Sequence, residues 1–214
     1  MIKAVLFDMD GVLIDTEVTY RYRLEEFCKK YHYPYTMEGL DRLVGCSHEM
    51  GIQLIKEMVN GLVTPEKFWE QWNQSLIDEP IDYLRIRVDG AMEVMEYLKA
   101  NGYRIGLCSA TEKEKIFSEM QEAELFGYFD AITSGHEVAR SKPYPDVYLE
   151  TIKRLQVEAE ECIVVEDSTY GITAAKAAGV SYVFARYVSK LKIDQREADE
   201  VIDHLTDIIP FLER

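Results

Sequence analysis

Two acids stand where an apolar run stops. In Val5-Leu6-Phe7-Asp8-Met9-Asp10-Gly11-Val12 the carboxyls of Asp8 and Asp10 follow directly on a stretch without polar side chains. Carboxylates this close repel, so such a pair shares a hard cation or divides acid and base roles. Three later segments also set polar groups just after apolar runs or at helix starts. They are Ser109 with Ala110 and Thr111, the loop Arg140-Ser141-Lys142-Pro143, and Glu166-Asp167 after Cys162-Ile163-Val164-Val165. Together these groups suit phosphoryl transfer. Four carboxylates (Asp8, Asp10, Glu166, Asp167) imply a Mg²⁺-like ion with oxygen ligands. An Asp can attack phosphorus to give an aspartyl-phosphate. Ser109 and the backbone N–H groups from Ala110 onward, at a helix start, can hold phosphate oxygens. Lys142 supplies positive charge. Asp10, two residues beyond Asp8, can protonate a leaving oxygen and then activate water.

Each piece alone has an ordinary explanation: Asp and Gly make turns, Ser109 and Glu166-Asp167 suit helix starts, and a lysine is usually a solvated charge. The elements that carry them decide the matter. Residues 2–7 read as a strand buried on both faces of a parallel sheet. From about residue 88 strands and helices alternate: helix 90–99, strand 103–108, a helix from about 112, strand 131–133, a helix from about 146, strand 162–165, helix 171–178 and strand 181–184. That alternation predicts a doubly wound, Rossmann-like α/β sheet. Right-handed crossovers bring every carboxyl end to one edge, where open α/β sheets bind ligands. The four segments therefore converge.

Between them lies a stretch of helical periodicity. Tyr20, Leu24 and Phe27 share a face, as do Ile52, Ile55 and Met58, then Phe68, Trp72 and Leu76. Turn signals at His32-Tyr33-Pro34, Val44-Gly45-Cys46-Ser47, Asn60-Gly61 and Glu79-Pro80 separate them, and Thr64-Pro65 reads as a helix start. The expected organisation is a discontinuous α/β core, residues 1–15 and 85–214, with an all-helical cap inserted at 16–84.

Composition narrows the partners. The 214 residues carry a net charge of −15, which opposes attraction to nucleic acid or to anionic membranes. Any anion site must be local. The cysteines (Cys28, Cys46, Cys108, Cys162) form no C-x-x-C pair, as expected of reduced thiols in a cytoplasmic protein. Neither a secretory leader nor a membrane span is read.

Asp8-Met9-Asp10-Gly11-Val12-Leu13-Ile14-Asp15-Thr16-Glu17, Ser109, Ser141-Lys142-Pro143 and Val165-Glu166-Asp167-Ser168 resemble the four signature motifs of the haloacid dehalogenase-like superfamily, in its phosphatase and β-phosphoglucomutase-like branch. The resemblance implies Asp8 as nucleophile and Mg²⁺ ligand. It implies Asp10 as general acid/base, ligating through its backbone carbonyl, and Asp167 as a ligand with Glu166 close by. Ser109 and Lys142 would bind the phosphoryl group. The loop Gly45-Cys46-Ser47-His48 resembles the family's substrate-contacting cap loop, though an ordinary helix–helix turn capped by Ser47 reads equally well. An acid at position 10 fits neither the dehalogenase nor the phosphonatase branch. The mutase pattern is broken where His48, Tyr20 and Ser75 replace its arginine, histidine and lysine, which favours water as acceptor. The expectation is a Mg²⁺-dependent phosphomonoesterase acting on a small phosphorylated metabolite, such as a sugar phosphate. A sugar-phosphate mutase stands second. A phospho-acceptor or metal-binding module of the receiver type is a third reading, and its motif order argues against it.

Overall fold

The computed structural model describes residues 1–43, 48–188 and 193–214, and the side chains of His48 and Glu49 lie outside that description. Six parallel strands form one sheet: β1 (Ala4–Phe7), β2 (Arg104–Ser109), β3 (Ala131–Ser134), β4 (Cys162–Glu166), β5 (Tyr182–Arg186) and β6 (Glu200–Ile202). Their spatial order is β3-β2-β1-β4-β5-β6. β1 is central because every one of its side chains is apolar and must be buried. Val5 and Phe7 point into one core layer, and Ala4 and Leu6 into the other. Leu6 pairs in register with Gly106 of β2 on one side and Val164 of β4 on the other. The chain runs outward from β1 through β2 to β3, then returns to place β4 on the opposite side. The crevice at the end of β1 is therefore a topological switch point.

Nine helices are described. α1 (Thr16–Tyr31), α2 (Met37–Leu43), α3 (His48–Val59) and α4 (Pro65–Asp78) precede α5 (Ala91–Ala100), α6 (Lys113–Glu122), α7 (Asp146–Leu155), α8 (Thr169–Ala177) and α9 (Ile208–Leu212). α5, α6 and α9 cover the sheet face of Phe7, through Val94, Met95, Leu98, Ile116, Met120 and Ile208. α7 and α8 cover the face of Leu6, through Tyr148, Ile152, Leu155, Ala174 and Ala175. The doubly wound sheet read from the sequence is the observed one. β6 and α9 are additions to it.

Contacts divide the chain into two units, Met1–Asp15 with Tyr83–Arg214, and Thr16–Asp82. The second is α1–α4, with a core of its own. Phe27 meets Phe68 and Trp72 edge-on, at centroid distances of 5.1 and 5.5 Å. Thr64 caps α4, accepting from Lys67 N with Pro65 in the first helical turn. Where the chain leaves and re-enters the α/β unit, its two stretches pair with each other. Asp15 N donates to Ile86 O and Val88 N to Leu13 O, both at 2.8–2.9 Å. No described helix is long and apolar enough to cross a membrane.

Candidate active site

The carboxyl end of β1 places Asp8. Its N–H donates to Val165 O at 3.0 Å, extending the β1–β4 ladder by one residue, and the residue is 7% exposed. The chain then folds tightly: Leu13 N donates to Met9 O, and Gly11 N to Ile14 O at 2.8 Å. Met9, Val12, Leu13 and Ile14 are all buried beneath this turn. Gly11 has φ +75°, and a Cβ there would overlap the carboxylate of Asp167. Only glycine permits this conformation and this approach at little cost.

Asp167 follows β4 directly. Asp8, Glu166 and Asp167 each offer an oxygen within 4.8 Å of the others. Magnesium binds oxygen at about 2.1 Å, so opposite ligands lie about 4.2 Å apart. Asp8 and Asp167, two oxygen donors within that span and cradled by a side-chain-free Gly11, fit a small hard dication. Asp10 contributes no side-chain oxygen to this group. Its Oδ2 accepts from Thr111 Oγ1 at 3.1 Å.

Lys142 enters from the loop before α7. Its Nζ donates to Asp8 Oδ1, to Glu166 Oε1 at 2.6 Å and to Cys108 O at 3.0 Å. The lysine read from sequence as a possible surface charge thus has a side chain only 7% exposed. Burial alone would lower its pKa, but the charges and hydrogen bonds of Asp8 and Glu166 outweigh that and raise it. The ammonium is permanent. Burial pushes the Asp8 carboxyl well above its ordinary range; Lys142 opposes this, while Glu166 and Asp10 add to it. A dication among these oxygens would bring it down again.

Glu166 is fully buried and saturated. Oε1 accepts from Lys142 and from Tyr148 OH (2.7 Å), and Oε2 from Asp167 N, Ser168 N and Ser168 Oγ at 3.0–3.2 Å. Burial works against its ionisation, yet the Lys142 charge and these donors win and lower its pKa. Neither Glu166 nor Asp167 caps α8. Ser168 does so, accepting from Gly171 N. A Cβ on Gly171 would occupy the space of the Glu166 carboxyl, so that glycine belongs to the site's wall.

Ser109, 1% exposed, ends β2, and its Oγ accepts from Thr111 N at 3.0 Å. It shapes the loop containing Ala110 and does not cap α6, whose N-cap is Glu112. Ser134 Oγ donates to Thr111 O at 2.5 Å and ties this loop to the end of β3. The structure thus gathers Asp8, Asp10, Ser109, Ala110, Lys142, Glu166 and Asp167 on one sheet edge. Gly45 and Ser47 lie outside the described residues. His48 opens α3, and its side chain is likewise outside the description.

Three partners escaped the sequence reading: the Thr111 hydroxyl on Asp10, the Tyr148 hydroxyl on Glu166, and Arg186. Arg186 left a trace in the sequence, as the one cation closing the apolar strand Tyr182-Val183-Phe184-Ala185. Its NH1 donates to Gly11 O and Asp15 Oδ1.

A family model for haloacid dehalogenase-like hydrolases matches residues 5–185. Among curated relatives, a phosphorylated carbohydrates phosphatase of Thermotoga maritima is 30% identical over 182 residues, 85% of this chain and 84% of that protein. The fructose-1-phosphate phosphatase YqaB of Escherichia coli is 28% identical over 184 residues, 85% of this chain and 95% of that one. Among solved structures, a β-phosphoglucomutase from Clostridium difficile superposes with a TM-score of 0.73 at 25% identity, covering 100% of this chain and 96% of the other. On its motifs, its fold and these matches, the chain belongs to the haloacid dehalogenase-like hydrolase family.

Proposed function

We propose that this protein hydrolyses phosphomonoesters of small metabolites, with sugar phosphates as the substrate class, through an aspartyl-phosphate on Asp8. The observation that carries the reading is the seating of Asp8. A buried carboxylate at the switch point lies against the ammonium of Lys142, with Asp167 beside it. Asp8 would attack phosphorus, forming the acyl-phosphate bond as the ester P–O bond breaks. Asp10, oriented by Thr111, would give its proton to the leaving oxygen. Its carboxylate would then take a proton from the water that attacks phosphorus, which releases phosphate and restores Asp8. Lys142, Ser109 and the backbone N–H of Ala110 would hold the phosphoryl oxygens.

A Mg²⁺ ion would be held by Asp8, Asp167 and the main-chain carbonyl of Asp10, and would neutralise charge gathering on the phosphoryl oxygens. Glu166, its oxygens already accepting five donors, would act from behind by fixing Lys142 and the turn after β4. Relatives named as phosphatases of phosphorylated carbohydrates and of fructose 1-phosphate support the substrate class. Hydrolysis rather than a mutase reaction is favoured by the helical unit itself. Tyr20 packs against Trp72 in that unit's core, and Ser75 Oγ donates to Trp72 O. Neither position offers the cation that a second phosphate needs.

The test is turnover of an aryl phosphate and of a phosphorylated-metabolite panel with and without Mg²⁺, beside Asp8→Asn. We expect Mg²⁺-dependent phosphate release that Asp8→Asn abolishes, since an amide cannot form the acyl phosphate. Appreciable release by purified, folded Asp8→Asn would overturn the nucleophile. Activity that requires a bisphosphate and yields an isomeric phosphate would replace the hydrolase with a mutase.

A further inference from the structure

Arg186 ends β5, two strands away from the turn it touches. Adjacent strands lie about 4.8 Å apart, so its side chain has to pass the end of β4 to reach residues 11–15. It arrives largely buried, 12% exposed. There NH1 donates to Gly11 O at 2.5 Å and to Asp15 Oδ1 at 2.7 Å, holding the tight turn after β1 at both its ends. Gly11 N is meanwhile committed to Ile14 O. Gly11 N holds the peptide plane that carries the Asp10 carbonyl, and Arg186 holds the adjoining plane, that of the Gly11 carbonyl.

The main chain of the same arginine reaches the other acidic turn. Gln195 Nε2 donates to Arg186 O at 2.8 Å and to Asp167 O at 2.6 Å. Gly11, pressed against the Asp167 carboxylate, closes the ring. The end of β5 therefore touches both turns whose oxygens were assigned above to the cation, the first through the Arg186 side chain and the second through its carbonyl and Gln195.

We propose that Arg186 is a positioning residue for the divalent ion: by holding the turn at residues 11–15, its guanidinium sets the Asp10 carbonyl against the Asp167 carboxylate that Gly11 faces. The proposal rests on the cation reading of Proposed function. It makes an unusual prediction of sign. By Coulomb attraction alone, deleting a positive charge that touches the turn following Asp8 and Asp10 should tighten dication binding. If Arg186 positions the oxygens, deleting it should loosen binding instead. Removing partners that orient metal ligands costs about 10–100-fold in affinity.

The experiment is calorimetric titration of MgCl₂ into the whole chain, for the wild type, Arg186→Met, Arg186→Lys and Asp167→Asn. Expected are a Kd roughly tenfold or more weaker for Arg186→Met, an intermediate Kd for Arg186→Lys, and lost binding for Asp167→Asn. Both bonds come from one nitrogen, NH1, so a lysine ammonium can serve the same acceptors but without the planar guanidinium that fixes their geometry. Circular dichroism checks that each variant is folded, and Arg186→Lys carries the test if Arg186→Met is not. An unchanged or tighter Kd in the Arg186 variants, with binding lost in Asp167→Asn, overturns the positioning role alone. Wild-type affinity in Asp167→Asn overturns the cation assignment itself.

Discussion

At the scale of single residues the site separates charges that would otherwise defeat one another. Four carboxylates gather near one ammonium, which touches two of them, Asp8 and Glu166, and each acid is occupied differently. Glu166 is saturated by protein donors, Asp167 lies against a glycine, Asp8 shares Lys142, and Asp10 takes the hydroxyl of Thr111. This division yields a prediction for Asp10. As a proton donor it matters most when the leaving group is a poor one, so Asp10→Asn should cost a sugar phosphate about 10²–10⁴-fold in kcat/KM. An aryl phosphate, whose phenolate leaves without help, should lose far less. Equal losses for both substrates, at a Mg²⁺ concentration shown to saturate the variant, would count against the acid role. Thr111→Val tests the orienting hydroxyl and should reproduce the same leaving-group pattern in weaker form. Asp8, Lys142 and Asp167 were legible in the sequence because each follows an apolar run or opens a loop before a helix. Thr111 and Tyr148 were not. Their bonds to Asp10 and Glu166 come from strand order and helix packing, which local spacing does not encode.

At the scale of elements, the strands were legible where they are buried on both faces, as β1 and β4 are. β6 was missed because three residues, Glu200-Val201-Ile202, are too few to display an alternation. α9 was missed because Pro210 reads as a helix breaker, although it is tolerated within the first turn, where its missing N–H has no helical partner to lose. α6 carries a feature with a pH consequence. Glu119, 3% exposed, accepts from Tyr83 OH at 2.7 Å, while Glu122 accepts from Tyr83 N at 3.1 Å. Burial raises the Glu119 pKa; the Tyr83 hydrogen bond and the nearby Lys115 pull it down, the Asp10 charge adds to the rise, and the net shift is upward. An acid whose folded pKa exceeds its unfolded value contributes stability that is full below the unfolded pKa. That contribution is lost as pH rises through the folded pKa. Glu119→Gln retains an acceptor for Tyr83 and removes the charge. Its Tm relative to wild type should therefore climb as pH rises above the ordinary carboxyl range, as read by thermal melts over a pH series. A difference that stays constant with pH would mean that the carboxyl titrates alike in the folded and unfolded chain.

At the scale of the whole molecule, the chain builds two hydrophobic cores. The sheet is sandwiched between two apolar layers, and the helical unit closes around Phe27, Phe68 and Trp72. Both tryptophans of the protein, Trp69 and Trp72, lie in the helical unit, so tryptophan fluorescence reports on that unit alone. Every oxygen assigned to the cation lies in the other. A ligand that binds only the folded form stabilises it by RT ln(1 + [L]/Kd), about 2.7 kcal/mol at a hundredfold excess over Kd. In a unit of this size that is a shift of several degrees in Tm. Separate cores allow separate transitions, because cooperativity requires contacts that are lost together. Adding Mg²⁺ in excess should therefore raise the transition followed by circular dichroism at 222 nm, to which the α/β unit's helices contribute, and leave the tryptophan-detected transition in place. Chelation should return the circular-dichroism transition to its value without Mg²⁺. If the fluorescence transition rises by the same number of degrees, the two cores unfold as one cooperative block.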